Sequence, residues 1–403
     1  MHIGLVTGEY PPDEGGIGDF TYRLALALSE QGHSVRILTD RSATGALGDT
    51  PQLAVDRLAA NWGWGCPKLI RNWAVSTQAD IVNIQYEAAA YDLRSSVAFA
   101  PRLLSHQALP VVTTFHDLLP PYLFPKAGGL RKRVVWMLAR NSTALVVTNR
   151  SDQADLEAAL GARIPPIEVI PIGSNILPPT ATRNGSEWRQ EHGFGASDLL
   201  VGHFGFLNRT KGVETLLRAV KWLLTEKGLP IKLVFIGGRT GSSDSSNASY
   251  AQEIDELIYQ LGLAERVSWT GFAEPQTISA ALRAVDLVAL PYIDGASLRH
   301  GTLHAALAHG VPTITTRPPV PIPELAHGDS VLLVCPGDSV ALSESILSIW
   351  SDAHLRQRLA AGALRLAAQF TWQNIADRTA RFYARWVMQR NGQGSPPSTP
   401  KQV

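Results

Sequence analysis

Val201-Gly202-His203-Phe204-Gly205-Phe206-Leu207-Asn208-Arg209-Thr210-Lys211-Gly212 opens the second half of a 403-residue chain, and its reading decides the fold. Apolar residues from Leu199 to Phe204 predict a short buried strand. A loop with two cations, Arg209 and Lys211, follows. Val213, Leu216, Leu217, Val220, Leu223 and Leu224 then fall on one face of a helix that Gly228 ends. Ile231 to Ile236 is the next strand. Strand, loop, helix and strand in that order are the grammar of a parallel sheet. Ligands of such sheets bind beyond the carboxyl ends of the strands, where Arg209 and Lys211 are expected. Two cations with no carboxylate beside them in the sequence suit an anion rich in oxygens, such as a diphosphate. A lone Lys-Gly pair is more often a solvated loop, but the first half of the chain opens in the same way.

There Ile3 to Thr7 reads as a strand, and a helix with Phe20, Leu24, Ala27 and Leu28 on one face stops at Gly32. Ser34 to Thr39 reads as the second strand. The loop between strand and helix carries Gly15, Gly16 and Gly18. Three readings apply to it. A dinucleotide fingerprint would use Asp40 as its ribose acid, but the loop is too long and Thr21 stands at the third glycine position. The glycines could serve the turn alone. The favoured reading is that they let backbone N–H groups approach a phosphate at the positive end of a helix.

The remaining apolar runs continue the alternation. Strands are expected at Asp80 to Tyr86, Pro110 to Phe115, Leu145 to Thr148 and Glu168 to Ile172 in the first half. In the second they are expected at Arg266 to Thr270, Leu287 to Leu290, Thr313 to Thr316 and Val331 to Val334. Residues 41–79 are weakly informative. Residues 174–198, with Pro178-Pro179 and Asn184-Gly185, read as a linker into a short segment. A helix is expected from Thr302 to Ala308, and three helical runs near 339–350, 353–369 and 373–389 close the chain. The glycine- and serine-rich 241–249 and the tail 391–403 are expected to be flexible and disordered, respectively. His116-Asp117 ends a strand, where a histidine is placed to meet a ligand, although a lone histidine is more often structural.

Apolar residues make up 45%, enough for two cores, and the length suits two domains. A net charge of +1 offers nothing to nucleic acid. Cys66 and Cys335 lie far apart and outside any ligand spacing, which predicts free thiols in a reducing compartment. His2 to Thr7 runs into a strand with no charged leader before it, and no apolar run reaches spanning length, so the expected location is the cytoplasm.

With both halves laid out, the chain resembles retaining glycosyltransferases of the two-Rossmann (GT-B) type, in particular glycosyltransferase family 4. The resemblance covers almost everything up to about residue 390. It is carried by Tyr10-Pro11-Pro12 with Gly15-Gly16-Ile17-Gly18, by Gly32-His33-Ser34-Val35, and by Asp80-Ile81-Val82. Thr114-Phe115-His116-Asp117, Ile170-Pro171-Ile172-Gly173, Lys211-Gly212 with Leu216-Leu217, Ala308-His309-Gly310-Val311-Pro312 and Pro323-Glu324-Leu325 extend it. Two departures stand out. Counting back from Gly310-Val311-Pro312, Ser297 and Ala305 occupy the positions of the family's two donor-loop glutamates. Phe206 stands where the family often has an arginine.

The resemblance implies an α/β fold of two Rossmann-like domains facing across a cleft. These are an acceptor domain over 1–180, with a helix of about 371–390 packing back on it, and a donor domain over 190–370. It implies transfer of a sugar from a nucleotide-diphosphate sugar to an acceptor hydroxyl with retention of configuration, and it implies no metal and no cofactor. Arg209 and Lys211 would hold the diphosphate, aided by backbone near Gly15 and Gly16 and at Gly301, Thr302 and Leu303. His116 would lie beside the donor sugar, Phe272 would face the base, and Ser297 would take part in sugar recognition. The partners implied are the nucleotide-sugar donor and a carbohydrate or lipid-linked acceptor. Arg131, Lys132 and Arg133 beside Val134 to Leu138 read either as a core helix with a basic end or as a peripheral contact with anionic lipid at the inner face of the membrane. Rival readings are a catalytically inactive nucleotide-sugar binder, a sugar-nucleotide epimerase and a nicotinamide-dependent oxidoreductase.

Overall fold

Strands whose residues are apolar on both faces can only lie inside a layered fold, and two such sheets form here. The computed structural model describes residues 1–12, 15–41, 50–118, 128–178, 185–239, 246–390 and 392, without the side chains of 128–131 and 246–248. The described chain divides into two units. One comprises Met1–Gly173 together with the chain from Trp372 on, and the other Ser174–Thr371. The expected tail beyond 390, Gly392 apart, falls outside the described residues, as do 241–245 of the stretch 241–249 expected to be flexible; its remainder, from Ser246, instead begins a helix.

The first unit contains β1 (His2–Thr7), α1 (Gly16–Glu30), β2 (Ser34–Asp40), β3 (Leu53–Ala59), α2 (Cys66–Ser76), β4 (Ile81–Tyr86) and α3 (Ala100–Ser105). β5 (Val111–Phe115), α4 (Gly128–Asn141), β6 (Ala144–Val147), α5 (Arg150–Leu160) and β7 (Ile167–Val169) complete its sheet. The strand order is β3-β2-β1-β4-β5-β6-β7, all parallel. β3 was hidden in the uninformative stretch because Asp56 and Arg57 break its apolar pattern. It is an edge strand, and Asp56 accepts from Arg36 Nη2 at 2.6 Å and from Trp73 Nε1 at 2.7 Å.

The second unit contains α6 (Gly185–Glu191), β8 (Leu199–Phe204), α7 (Val213–Glu226), β9 (Ile231–Ile236), α8 (Ser246–Gln260), β10 (Val267–Trp269) and α9 (Pro275–Ala284). β11 (Leu287–Leu290), α10 (Gly301–Ala308), β12 (Thr313–Thr316), β13 (Leu332–Val334), α11 (Ser339–Ser351) and α12 (Ala353–Ala367) follow. The order is β10-β9-β8-β11-β12-β13, again all parallel. The expected linker at 174–198 contains α6, whose Trp188 is buried and whose Arg189 pairs with Asp286 at 2.7 Å. α7 buries Val213, Leu216, Leu217, Val220 and Leu223, as the periodicity requires. Each such side chain contributes roughly 1.5–3 kcal/mol.

The last helix, α13 (Trp372–Arg390), belongs to the first unit. It buries Trp372, Ile375 and Tyr383 against α1, with Trp372 and Phe20 rings 5.3 Å apart. In each sheet the strand order reverses once, between β1 and β4 and between β8 and β11. These switch points open crevices at the carboxyl ends of the strands. The loops holding Glu9, Glu87, Lys211 and Asp294 leave the sheets there.

Candidate active site

In the second unit the β8 exit is shaped by Gly212. Its φ is +65°, and a Cβ there would lie 1.9 Å from the Pro291 carbonyl oxygen, so no other residue fits without backbone movement. Ile293 N donates to Thr210 O at 2.8 Å, tying this loop to the β11 exit. Lys211 is thereby set half-buried with its Nζ 4.9 Å from the centre of the Tyr292 ring. Burial pulls its pKa below the ordinary lysine value, against the opposing charge of Asp294. Among the described residues Lys211 makes no ion pair. Tyr292 OH and Thr302 Oγ1 share a hydrogen bond of 2.6 Å, and the His300 ring lies 3.9 Å from that of Tyr292.

These contacts bring Lys211 to the beginning of α10. His300 occupies the N-cap position but caps nothing with its side chain; its Nδ1 accepts from Ser297 N at 3.3 Å. Burial and the cations Lys211 and Arg299 push the His300 pKa down to about 3, so the ring is neutral. Leu303 N donates to His300 O at 3.0 Å and is engaged. The N–H groups of Gly301 and Thr302 are the ones left without a backbone or side-chain acceptor among the described residues. An uncapped helix start beside an unpaired ammonium has the charge and the free donors that suit an anion.

Arg209 departs from the expectation of two cations without a carboxylate. Its guanidinium donates to Glu253 on α8 at 2.5 Å and lies 5.0 Å from the centre of the Tyr250 ring. It faces α8 while Lys211 faces α10. The carboxylate is 44 residues away in the chain, which is why proximity in sequence missed it. Ala305 is 1% exposed within the core, so a carboxyl at that position would be taken from water. Ser297 Oγ accepts from Arg299 N at 3.2 Å.

Phe272 is 68% exposed beyond β10, and Phe206, 41% exposed, is its neighbour. A Cβ on Gly238 would lie 3.0 Å from Phe206 Cε1 and 3.8 Å from Phe272 Cβ. Sequence reading registered Phe206 only as an absent arginine; its place directly after the strand-end glycine was the available signal.

In the first unit the glycine loop receives an anion from the chain itself. Glu9 Oε1 accepts from Ile17 N at 2.9 Å and from Gly18 N at 3.2 Å. A Cβ on Gly15 would sit 2.2 Å from that oxygen, so a side chain there would have to displace the Glu9 carboxylate. The amides expected to meet a phosphate are thus capped by Glu9, whereas nothing lies within 4 Å of a Cβ built on Gly16. His116 is half-buried at the β5 exit, its Nε2 2.8 Å from Gln85 Oε1 and its ring 4.7 Å from that of Phe20. Burial pushes its pKa down to about 3. Glu87, at the β4 exit, is pushed up to about 7 by burial and by the charges of Asp117 and Glu9. Asp19 is also raised, by burial first, with Arg23 opposing and Glu9 reinforcing. Glu87 and Gln85 belong to no sequence motif, because their surroundings come from separate strands.

Two family models cover this architecture. Residues 14–176 match the model described as Glycosyltransferase Family 4, and residues 198–352 match Glycosyl transferases group 1. The chain belongs to glycosyltransferase family 4. This glycosyltransferase is 25% identical over 393 residues to a D-inositol 3-phosphate glycosyltransferase of Corynebacterium diphtheriae, covering 92% of this chain and 90% of the relative. Among solved structures it is similar to sucrose-phosphate synthase from Thermosynechococcus elongatus. The TM-score is 0.76 at 18% identity, over 95% of this chain and 98% of that one. Anabaena HepE, solved in complex with UDP and glucose, gives a TM-score of 0.72 at 21% identity over 95% and 99%. Both likenesses show the two-Rossmann fold. Among the described residues of the glycosyltransferase no helix is long and apolar enough to cross a membrane.

Proposed function

We propose that this glycosyltransferase holds the diphosphate of a nucleotide-sugar donor between Lys211 and the start of α10, and transfers the sugar with retention of configuration. The observation that carries the reading is the unpaired Lys211 ammonium, held over Tyr292 beside a helix start whose first two N–H groups are free. Breaking the glycosidic bond leaves negative charge on the departing diphosphate. A cation and oriented amides already in place stabilise that charge without reorganising. Phe206 and Phe272 stack the base, and His116 serves as a sugar-binding residue. Arg209 acts at longer range, since Glu253 neutralises it.

The acceptor we propose is a carbohydrate hydroxyl without a phosphate beside it. Glu9 raises both Asp19 and Glu87, and Asp117 also raises Glu87, so these acids lie close together in the first unit and repel an anionic acceptor. In this the chain would differ from the relatives named for D-inositol 3-phosphate. An acceptor carried by a lipid and a peripheral contact with anionic membrane belong to the same proposal. Lys132 and Arg133 are exposed on α4, which has no acid in its sequence, while Val134 to Met137 are only half-buried. Arg131's side chain lies outside the description. Binding to anionic vesicles that is lost in salt supports this contact; its absence removes the contact and leaves the donor site standing.

The test of the donor site is a thermal-shift screen against nucleoside diphosphates and their sugars, followed by release of the diphosphate with neutral and phosphorylated acceptors. A ligand specific to the native state raises its stability. Binding without turnover for any acceptor would instead favour an inactive nucleotide-sugar binder.

A further inference from the structure

Asn83 and Gln85 on β4 and Thr114 on β5 are polar side chains buried in the middle of a sheet, where an unmet donor or acceptor is costly. Their partners form a directed chain that begins at a backbone atom. Asn83 Nδ2 lies 3.3 Å from Val112 O and 2.9 Å from Thr114 Oγ1. A carbonyl only accepts, so this end of Asn83 is its NH2, and its Oδ1 faces Gln85. Gln85 Nε2 donates to that Oδ1. The Gln85 amide is then oriented with Oε1 toward His116, 2.8 Å from the ring's Nε2. An amide oxygen only accepts, so Nε2 carries the proton. The neutral ring therefore has a bare Nδ1, which no other described residue hydrogen-bonds.

We propose that Gln85 is a positioning residue that locks His116 as the Nε2–H tautomer and thereby makes Nδ1 a hydrogen-bond acceptor for a hydroxyl of the bound sugar. The inference rests on the proposed contact between His116 and the sugar. Geometry and charge agree with it. The His116 backbone N–H donates to Tyr86 O at 3.0 Å, fixing the residue at the strand end, and the Phe20 ring edge holds the imidazole in place. A ring kept neutral cannot exchange its acceptor for a second N–H, so the site reads a donor hydroxyl and rejects an acceptor at that point. Replacing Gln85 by Met removes the oxygen that selects the tautomer. Replacing it by Glu keeps an acceptor toward Nε2 and adds a charge that favours the imidazolium.

The test uses the full chain labelled with 15N-histidine, with long-range 1H–15N spectra and His116 assigned by comparison with His116→Gln. The wild type should show protonated Nε2 and bare Nδ1 from about pH 8 to about pH 5.5, a range in which an ordinary histidine titrates. Gln85→Met should show averaged tautomers, and Gln85→Glu should retain Nε2–H but titrate within that range. A proton on Nδ1 in the wild type overturns the lock, as does a Gln85→Met spectrum identical to it. Should Gln85→Met not fold, an unshifted titration in Gln85→Glu overturns it. Turnover of Gln85→Met should fall by about tenfold in kcat, the scale of one misdirected hydrogen bond, with Gln85→Glu recovering most of it at high pH. If His116→Ala itself turns over at the wild-type rate, the sugar contact fails, while the lock is still judged by its spectrum.

Discussion

Glu87 offers a stability change whose sign and pH window follow from its surroundings. Its carboxyl is raised from 4.5 to about 7 in the folded chain, by burial first and then by Asp117 and Glu9. A raised acid binds its proton more tightly folded than unfolded. Folding is therefore unpenalised below the unfolded pKa, loses stability as pH climbs from about 4.5 to about 7, and carries the full cost above that. At about 1.4 kcal/mol per unit the ceiling is roughly 3 kcal/mol. Solvent around a half-buried carboxyl reduces this to about 1–2 kcal/mol. Glu87→Gln keeps the shape and discards the charge. Its gain over the wild type should be largest at about pH 8 and shrink to about a quarter at about pH 5. Urea unfolding followed by fluorescence measures this as the difference in midpoints at each pH. A difference that stays constant with pH, or a variant less stable than the wild type at pH above about 7, would refute the reasoning.

The other expectations concern turnover and binding. Lys211→Ala should fold normally and lose about a hundredfold or more in kcat, as when one preorganised donor to a developing anion is removed. Arg209→Ala, measured alongside it, should lose less than about tenfold, because the guanidinium is already paired with Glu253. Phe206→Ala and Phe272→Ala should each weaken nucleoside diphosphate binding by about tenfold in a titration, while inorganic diphosphate binds as before; equal losses for both ligands would remove the aromatics from the base site. With Ala305 buried and Ser297 neutral, the deoxyribose form of the donor should bind nearly as well as the ribose form. A strong ribose preference would show another residue reading that hydroxyl.

Legibility in the sequence followed from how local each signal is. α7 and the strands on either side of it were readable because Val213, Leu216, Leu217 and Val220 repeat with the helix period and bury as one face. β3 was not, since Asp56 is neutralised by Arg36 of another strand and by Trp73 of a helix, partners invisible in the chain order. α6 was shielded in the same way by its Arg189–Asp286 pair. At the proposed site, Lys211 was singled out by its place at a strand end, and Gly301 to Leu303 by the family resemblance. The engagement of Arg209 by Glu253, the capping of the glycine loop by Glu9 and the Gln85 contact to His116 all depend on tertiary neighbours. Gly15 was read as admitting a phosphate to the loop amides; the anion the structure places there is the Glu9 carboxylate.

The central claim is that the diphosphate sits against Lys211 and the start of α10. Calorimetric titration of the wild type and of Lys211→Ala with the nucleoside diphosphate found in the screen tests it most directly, with the corresponding nucleoside as control. The account predicts that Lys211→Ala weakens the diphosphate by about tenfold to a hundredfold, the loss of one charge-assisted contact, and leaves the nucleoside unchanged. Equal affinity of wild type and variant for the diphosphate would contradict it.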